Sequence, residues 1–289
     1  MKIPRSTYYY KVKKKDEEVE KELVAMIEAI VVEFPRYGYR RVTKELLRRN
    51  RQVNHKVVLK LMRKHGLLCK RKRSFVVHTT DSNHAYPIYS NLIKDIVATR
   101  INQIWVSDIT YIRILTGFMY LAVILDAFSR KAVGYAVSRW LDRTLTIAAL
   151  NMAIESRDPP AGCIHHSDRG VQYAAQEYVD ILKGGKFRIS MSDKGNPYDN
   201  AMAESFIKTL KYEEVYLADY QTYADVVENI IPFLRDVYNA KRLHSSIGYL
   251  PPNEFESLWL EKNPAVSGVR TVPTGTNVNP RSNYSLIGV

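Results

Sequence analysis

The chain has little of what would staple it, anchor it or export it. Among 289 residues there are two cysteines, Cys69 and Cys163, far apart and without partners at metal-ligand spacing. That argues against a disulfide framework and against a structural zinc site. Long hydrophobic runs are also missing. The longest fully apolar stretch, around Met119 to Leu125, falls far short of the roughly 20 residues that span a bilayer. No charged start leads into an apolar core and a small-residue cleavage site, so no secretory signal is read and the cytoplasm is the expected compartment. Acid is in deficit: 30 Asp and Glu against 43 Lys and Arg give a formal charge of +13. An excess of that size points to a polyanionic partner.

The positive charge is unevenly spread. Basic residues cluster at 11–15, 36–51 and 60–73, ahead of every candidate catalytic residue. The same region carries helical signals. Val19, Leu23, Ile27, Ile30 and Phe34 form an apolar stripe that Pro35 ends. Val42, Leu46 and Leu47 mark a second, short helix. Asn54 is placed to cap a third, with Val57, Val58, Leu61 and Met62 facing a core. Two short basic helices joined by a brief turn read as a helix-turn-helix within residues 1–67. The expected recognition helix, 54–65, exposes Lys56, Lys60, Arg63 and Lys64. Residues 68–100 read as a basic and polar linker.

Strand patterns follow at 103–114, 118–127 and 131–138, then a helix at 143–157. A short strand leads to Asp168, a helix covers 175–183, a strand 187–192, and two helices 197–215 and 222–241. Three consecutive strands followed by alternating helix and strand suit an α/β fold over 101–262. The tail, 263–289, is polar and rich in Pro, Gly, Asn and Ser. It is expected to order only against another subunit or DNA.

Three acids stand in distinctive settings: Asp108 in a strand (WVSDITYI), Asp168 at a strand end (CIHHSDRGVQY), and Glu204 on a helix (DNAMAESFIKTLK). Thirty-five residues lie between the last two. Hard cations such as Mg²⁺ prefer oxygen ligands, and a pair of ions about 3.5–4 Å apart suits phosphoryl transfer. Pro197 fits the first position of the Glu204 helix after an Asn196 cap. Lys208 and Lys211 share the Glu204 face, and Asn200 lies one turn before it. Gln172 and Tyr173 are read as substrate neighbours. His165 and His166 alternate on a strand and so cannot easily share an ion. Asp126 reads as a turn-capping acid rather than a ligand.

These words in this order resemble the D,D(35)E core of retroviral-integrase-like transposases, and more narrowly the downstream-frame product of the insertion-sequence-three family. The resemblance runs from PRSTYYY through FPRYGYRRVTKELLRRN, W-x-x-D-I-T-Y, LAVILDAFSRKAVGYA, HHSDRGVQY and SDKGNPYDNAMAESFIKTLK to YNAKRLHSSIGYLPPNEF. It implies an RNase-H-like integrase catalytic core preceded by a small all-α helix-turn-helix domain. Asp108, Asp168 and Glu204 would be catalytic and would hold Mg²⁺ or Mn²⁺, with two ions per site. Double-stranded DNA, both transposon ends and target, would be the partner. Expected DNA contacts are Arg40, Arg41, Lys56, Lys60, Arg63, Lys64, Arg71 and Arg73, and near the acids Arg169, Gln172, Asn200, Lys208 and Lys211. A homodimer or larger assembly, an upstream-frame partner and a copy-out–paste-in route are further implications. Two other classes compete: an RNase-H-like nuclease or resolvase that cuts without joining, and a non-catalytic DNA-binding regulator.

Overall fold

The computed structural model describes residues 17–69, 86–193 and 200–264. The chain divides into two compact units, Met1–Arg73 and Ser74–Val289. In the first, helices α1 (Glu17–Glu33), α2 (Tyr39–Arg48) and α3 (His55–Lys64) pack on one another. Ile27, Ile30, Val42, Leu46, Val58 and Met62 are wholly buried between them. Asn54 caps α3 by accepting from the Lys56 amide at 2.9 Å. Three residues expected in this core lie outside it: Val19, Leu47 and Val57 are 45%, 50% and 37% exposed. The helical repeat explains two of them. Neighbours on a helix are about 100° apart, so burying Leu46 and Val58 turns Leu47 and Val57 outward.

The second unit is built on a five-stranded sheet of order β3-β2-β1-β4-β5. Strands β1 (Ile104–Ile114), β2 (Gly117–Asp126) and β3 (Ala132–Ser138) form the antiparallel meander. Strands β4 (Ile164–Ser167) and β5 (Arg188–Met191) run parallel to β1. Between β3 and β5 come α4 (Arg143–Arg157), α5 (Val171–Ala174) and α6 (Gln176–Gly184). Helix α7 (Ala201–Leu210) widens into a π turn over Lys211–Val215. Helix α8 (Tyr223–Pro232) does the same over Phe233–Tyr238, just after the proline that lacks an amide donor. Helix α9 (Pro252–Lys262), which the sequence reading did not resolve, completes the unit.

Alternation along β1 splits the core in two. Trp105 and Ile109 pack with α4 and α6 through Leu145, Leu150 and Tyr178. Ile104, Val106 and Ile112 pack with α7 and α8 through Phe206, Leu210, Val226 and Ile230. Gly134 permits α4 to lie directly on β3, since any side chain there would collide with the Ala149 carbonyl and Ala153. The second half of the segment read as linker is docked on this core. Leu92, Ile93 and Ala98 pack against it, and the Leu92 amide donates to Ser190 Oγ at 2.8 Å. Arg71, Arg73, the Asn196–Pro197 helix start and the tail beyond 264 lie outside the described residues.

Candidate active site

Asp108 and Asp168 are brought together by strand register. The parallel pairing of β1 and β4 matches Val106 with His166. Two residues further along each chain come Asp108 and Asp168, on the face turned to α7. The turn after β4 is tight: Asp168 Oδ1 accepts from the Gly170 amide at 2.9 Å. A Cβ on Gly170 would sit 2.9 Å from that same Oδ1 and 3.2 Å from Gln172 Oε1. Its backbone angles suit any residue, φ −65° and ψ 142°, so the constraint is the close approach. Gly170→Ala is therefore expected to leave the melting temperature nearly unchanged while displacing the Asp168 carboxylate. If Asp168 has the catalytic role that the sequence resemblance implies, misplacing it by about 1 Å would cost up to ~10²-fold, and single-turnover strand cleavage would fall roughly 10- to 100-fold.

The third acid comes from α7, which packs on β1. Glu204 lies in its first turn with its side chain 41% exposed, and Lys208 Nζ stands 3.6 Å from Glu204 Oε2. Lys211, where the α-helix passes into the π turn, places its Nζ 3.9 Å from the centroid of the Tyr111 ring on β1. Asn200, the residue before α7, is buried and donates its Nδ2 to the Ser107 carbonyl at 3.2 Å. Its Oδ1 is buried with no partner among the described residues. Asn200 thus ties the α7 N-terminus to the residue next to Asp108.

The electrostatics follow from this crowding. Burial, then the Asp168 charge, push the half-buried Asp108 carboxyl up to about 8. Its bond from the Ile109 amide, 2.8 Å, opposes the rise, Glu204 adds to it, and Lys211 partly offsets it. Three converging carboxylates against two nearby ammonium groups, Lys208 and Lys211, leave a net negative site among the described residues. An all-oxygen donor set of this kind fits a hard divalent cation, which would keep all three ionised. Among the described residues no group of three or more His, Cys, Asp or Glu side chains is placed to hold a metal ion by itself, so no complete cage is formed. Magnesium sites do not require one, since one or two carboxylates are completed by water and substrate phosphate.

Several neighbours of the acids make contacts within the fold. Arg169, expected at DNA, donates through Nε to the Ser192 carbonyl at 2.8 Å and through Nη2 to Asp193 at 3.3 Å. It clamps the ends of β4 and β5. Gln172 is 9% exposed, with Oε1 close over Gly170. Tyr173 sits with His165 and Tyr178 in an aromatic cluster, 2% exposed. Asp126 does cap a turn: it accepts from the Asn102, Phe128 and Ser129 amides at 2.6, 2.8 and 3.0 Å. The two histidines point to opposite faces, and both are buried. His166 meets Ser190 Oγ at 2.8 Å on the carboxylate face. His165 meets the Tyr178 hydroxyl at 2.9 Å on the other.

Burial, with His166 adding to it, holds His165 down at about 3 from an ordinary 6.5. The unfolded chain therefore takes up a proton at His165 where the folded chain does not. Stability from this group is complete above pH 6.5 and is lost as pH falls toward 3. The expected slope is about 1.4 kcal/mol per pH unit. Denaturant titrations from pH 7 to 4 should be measurably flatter for His165→Phe than for the natural chain.

In the N-terminal unit Lys56, Lys60 and Arg63 are exposed along one side of α3, as expected. Lys64 is exposed too, but its Nζ lies 2.8 Å from Glu20 on α1. Arg40 is exposed and stacks over Tyr39, while Arg41 is half-buried over Tyr37.

Comparison with known proteins gives this geometry a family. A family model described as an integrase core domain matches residues 98–197, and a second integrase core domain model matches 186–252. A model described as an HTH-like domain matches 17–75. The transposase for insertion sequence element IS904 of Lactococcus lactis subsp. lactis (strain IL1403) is 39% identical over 243 residues, covering 83% of this chain and 96% of the relative. Transposase InsF for insertion sequence IS3A of Escherichia coli (strain K12) is 37% identical over 223 residues, 77% of each chain. Among solved structures, the HTLV-2 integrase catalytic core domain in complex with magnesium is 16% identical over 54% of this chain and 97% of that one, with a TM-score of 0.41. The two transposase matches each run through most of both chains, and the chain belongs to the insertion-sequence-three family: it is a DNA-binding transposase with an HTH-like domain and an integrase core.

Proposed function

We propose that the chain binds the ends of its own insertion sequence and catalyses metal-dependent DNA strand cleavage followed by strand transfer. The observation that carries this reading is the convergence of Asp108 from β1, Asp168 from the end of β4 and Glu204 from α7, where burial and then the Asp168 charge push Asp108 up to about 8. These three would hold Mg²⁺ or Mn²⁺, two ions per site. When bound, the ions supply Lewis acidity to the attacking and leaving oxygens of the phosphodiester.

The chain's own residues do the rest. Lys211, already beside Asp108, and Lys208, beside Glu204, take the phosphates flanking the cut. Asn200 Oδ1 orients a water or a sugar hydroxyl. Water attacks first and leaves a 3′-hydroxyl, which then attacks the target, so no Ser or Tyr nucleophile is required. Lys56, Lys60 and Arg63 on α3 enter the groove of the end sequence, with Arg40 and Arg41 on the backbone. Two DNA ends call for two active sites, hence a homodimer or larger assembly on DNA. The route is copy-out–paste-in, with an upstream-frame protein as a further partner. The reaction takes place in the cytoplasm, at the nucleoid. No helix among the described residues is long and apolar enough to cross a membrane.

A labelled oligonucleotide that ends in a 3′-hydroxyl at the element's tip separates this reading from a resolvase. Label joined to a plasmid target is the expected result. Shortened fragments without joining would instead assign a nuclease, and end binding without chemistry in Mg²⁺ would assign a regulator.

A further inference from the structure

Beside the three acids lies a second cluster that cleavage itself does not use. Tyr111 on β1 and Phe118 on β2 meet edge to face, with centroids 5.5 Å apart and planes at 88°. Tyr212 and Tyr216, on and just after the π turn, do the same at 5.8 Å and 72°. The two pairs form one group. Burial is the first cause that raises the Tyr216 phenol, and Tyr111 and Tyr212 are the next. Lys211 joins this group to the site, with its ammonium 3.9 Å from the Tyr111 centroid and its charge acting on Asp108.

The rings are not simply core. Phe118 is 48% exposed, neighbouring Leu115 75% and Leu217 46%. Tyr111, Tyr212 and Tyr216 are half-buried. β4 pairs with β1 only as far as Val106, so the part of β1 that carries Tyr111 has no β4 residue paired beside it. The surface therefore begins at a cation next to the carboxylates and continues through half-buried tyrosines to the exposed Phe118. The exposed Arg113, opposite Phe118 in the hairpin register, adds positive charge there.

We infer that Tyr111, Phe118, Tyr212 and Tyr216 form a stacking subsite for unpaired nucleobases, next to the phosphate to be cut. This rests on the transposase reading above. Stacking on aromatic side chains is tolerant of sequence because every base has a π face, but a base inside a duplex presents none. The subsite therefore takes bases freed from pairing at the tip of the element, with Lys211 on the adjoining phosphate. A second protein chain is the competing occupant. The cation at one end of the surface and the flanking Arg113 favour a polyanion.

The test compares end duplexes that are fully paired with the same duplexes mismatched over the terminal base pairs, with 2-aminopurine in the freed strand. Wild-type protein should bind the mismatched end roughly tenfold more tightly and quench the 2-aminopurine. Phe118→Ala should lose most of both effects and Phe118→Trp should restore them. Phe118 is exposed, so neither change endangers folding, and Tyr212→Ala gives a second, independent variant. Equal binding of paired and mismatched ends by a wild-type protein that cleaves in Mg²⁺ would overturn the subsite while leaving the transposase reading intact. Absence of cleavage by wild type would instead overturn the reading beneath it. An oligomeric state changed by Phe118→Ala, with the preference for mismatched ends retained, would mean a protein interface and would also overturn the proposal.

Discussion

Replacing Asp108 by Asn is expected to lower both cleavage and joining by about 10³-fold or more while the protein becomes no less stable. Losing a ligand to catalytic ions removes several kcal/mol of transition-state stabilisation, and each ~1.4 kcal/mol is tenfold in rate. The stability half follows from the same geometry read the other way. Without a cation, Asp108 is desolvated and repelled by Asp168 and Glu204, with Lys211 only partly offsetting this. Asparagine keeps the shape and removes the repulsion. The two readouts together separate a catalytic carboxylate from a structural one, because a structural acid would lose stability on neutralisation. Single-turnover rates in Mg²⁺ and thermal melting in EDTA check the pair. Activity within tenfold of the natural chain, or a clear drop in melting temperature, would count against the assignment.

The largest loss of stability should come from a residue far from the chemistry. Arg157, at the end of α4, donates through Nη1 and Nη2 to the two oxygens of Glu256 on α9 at 2.8 and 2.7 Å. Its Nε reaches Asn102 Oδ1 at 3.1 Å, and Asp126 lies 4.0 Å away. Ser129 and Lys131 complete the shell around Glu256. Burial raises both buried acids, and for Asp126 it prevails. For Glu256 the Arg157 and Lys131 charges outweigh burial and hold the carboxyl below its usual range. Arg157→Met would leave two carboxylates buried around a missing cation. Breaking such a pair from one side costs about 3–5 kcal/mol, or roughly 6–20 °C in melting temperature for a unit of this size. The double variant Arg157→Met, Glu256→Met should recover part of this, since Glu256 is then no longer a buried charge, while Asp126 still lacks Arg157. A loss below about 1 kcal/mol in the single variant would mean that water reaches the cluster.

How much of this was legible in the sequence depended on the range of the interaction. The meander and α4 were readable because alternation and helical repeat are local, and their ends fall within a residue or so of expectation. Whether an apolar helical residue is buried is less local: Leu46 and Leu47 look alike in sequence, and only the packing of three short helices selects one. Residues 86–100 read as linker because their anchors are single contacts, such as the Leu92 amide on Ser190, 98 residues away. Helix α9 escaped for a similar reason. Its buried members are Pro252 at its start and a charged residue, Glu256, whose partner lies 99 residues away. The clamp that Arg169 makes had no local signal either, because only the fold places the Ser192 carbonyl after β5 beside it.

The acids themselves were legible only as words in a family pattern. No periodicity states that a strand, a strand end and a helix will meet, and the register of β1 against β4 is what places Asp108 across from Asp168. The surrounding aromatic group had no signal of its own, since Tyr111 and Tyr216 are 105 residues apart in the numbering and meet only in the fold.

The most direct single measurement is joined product formed by the purified chain on DNA carrying its element's ends. It would be run in Mg²⁺, in EDTA, and in EDTA with Mg²⁺ restored, beside Asp168→Asn. The account predicts joining in Mg²⁺, none in EDTA, recovery on restoration, and none from the variant under any condition. Joining that persists in EDTA, or that Asp168→Asn carries out at the natural rate, would contradict it.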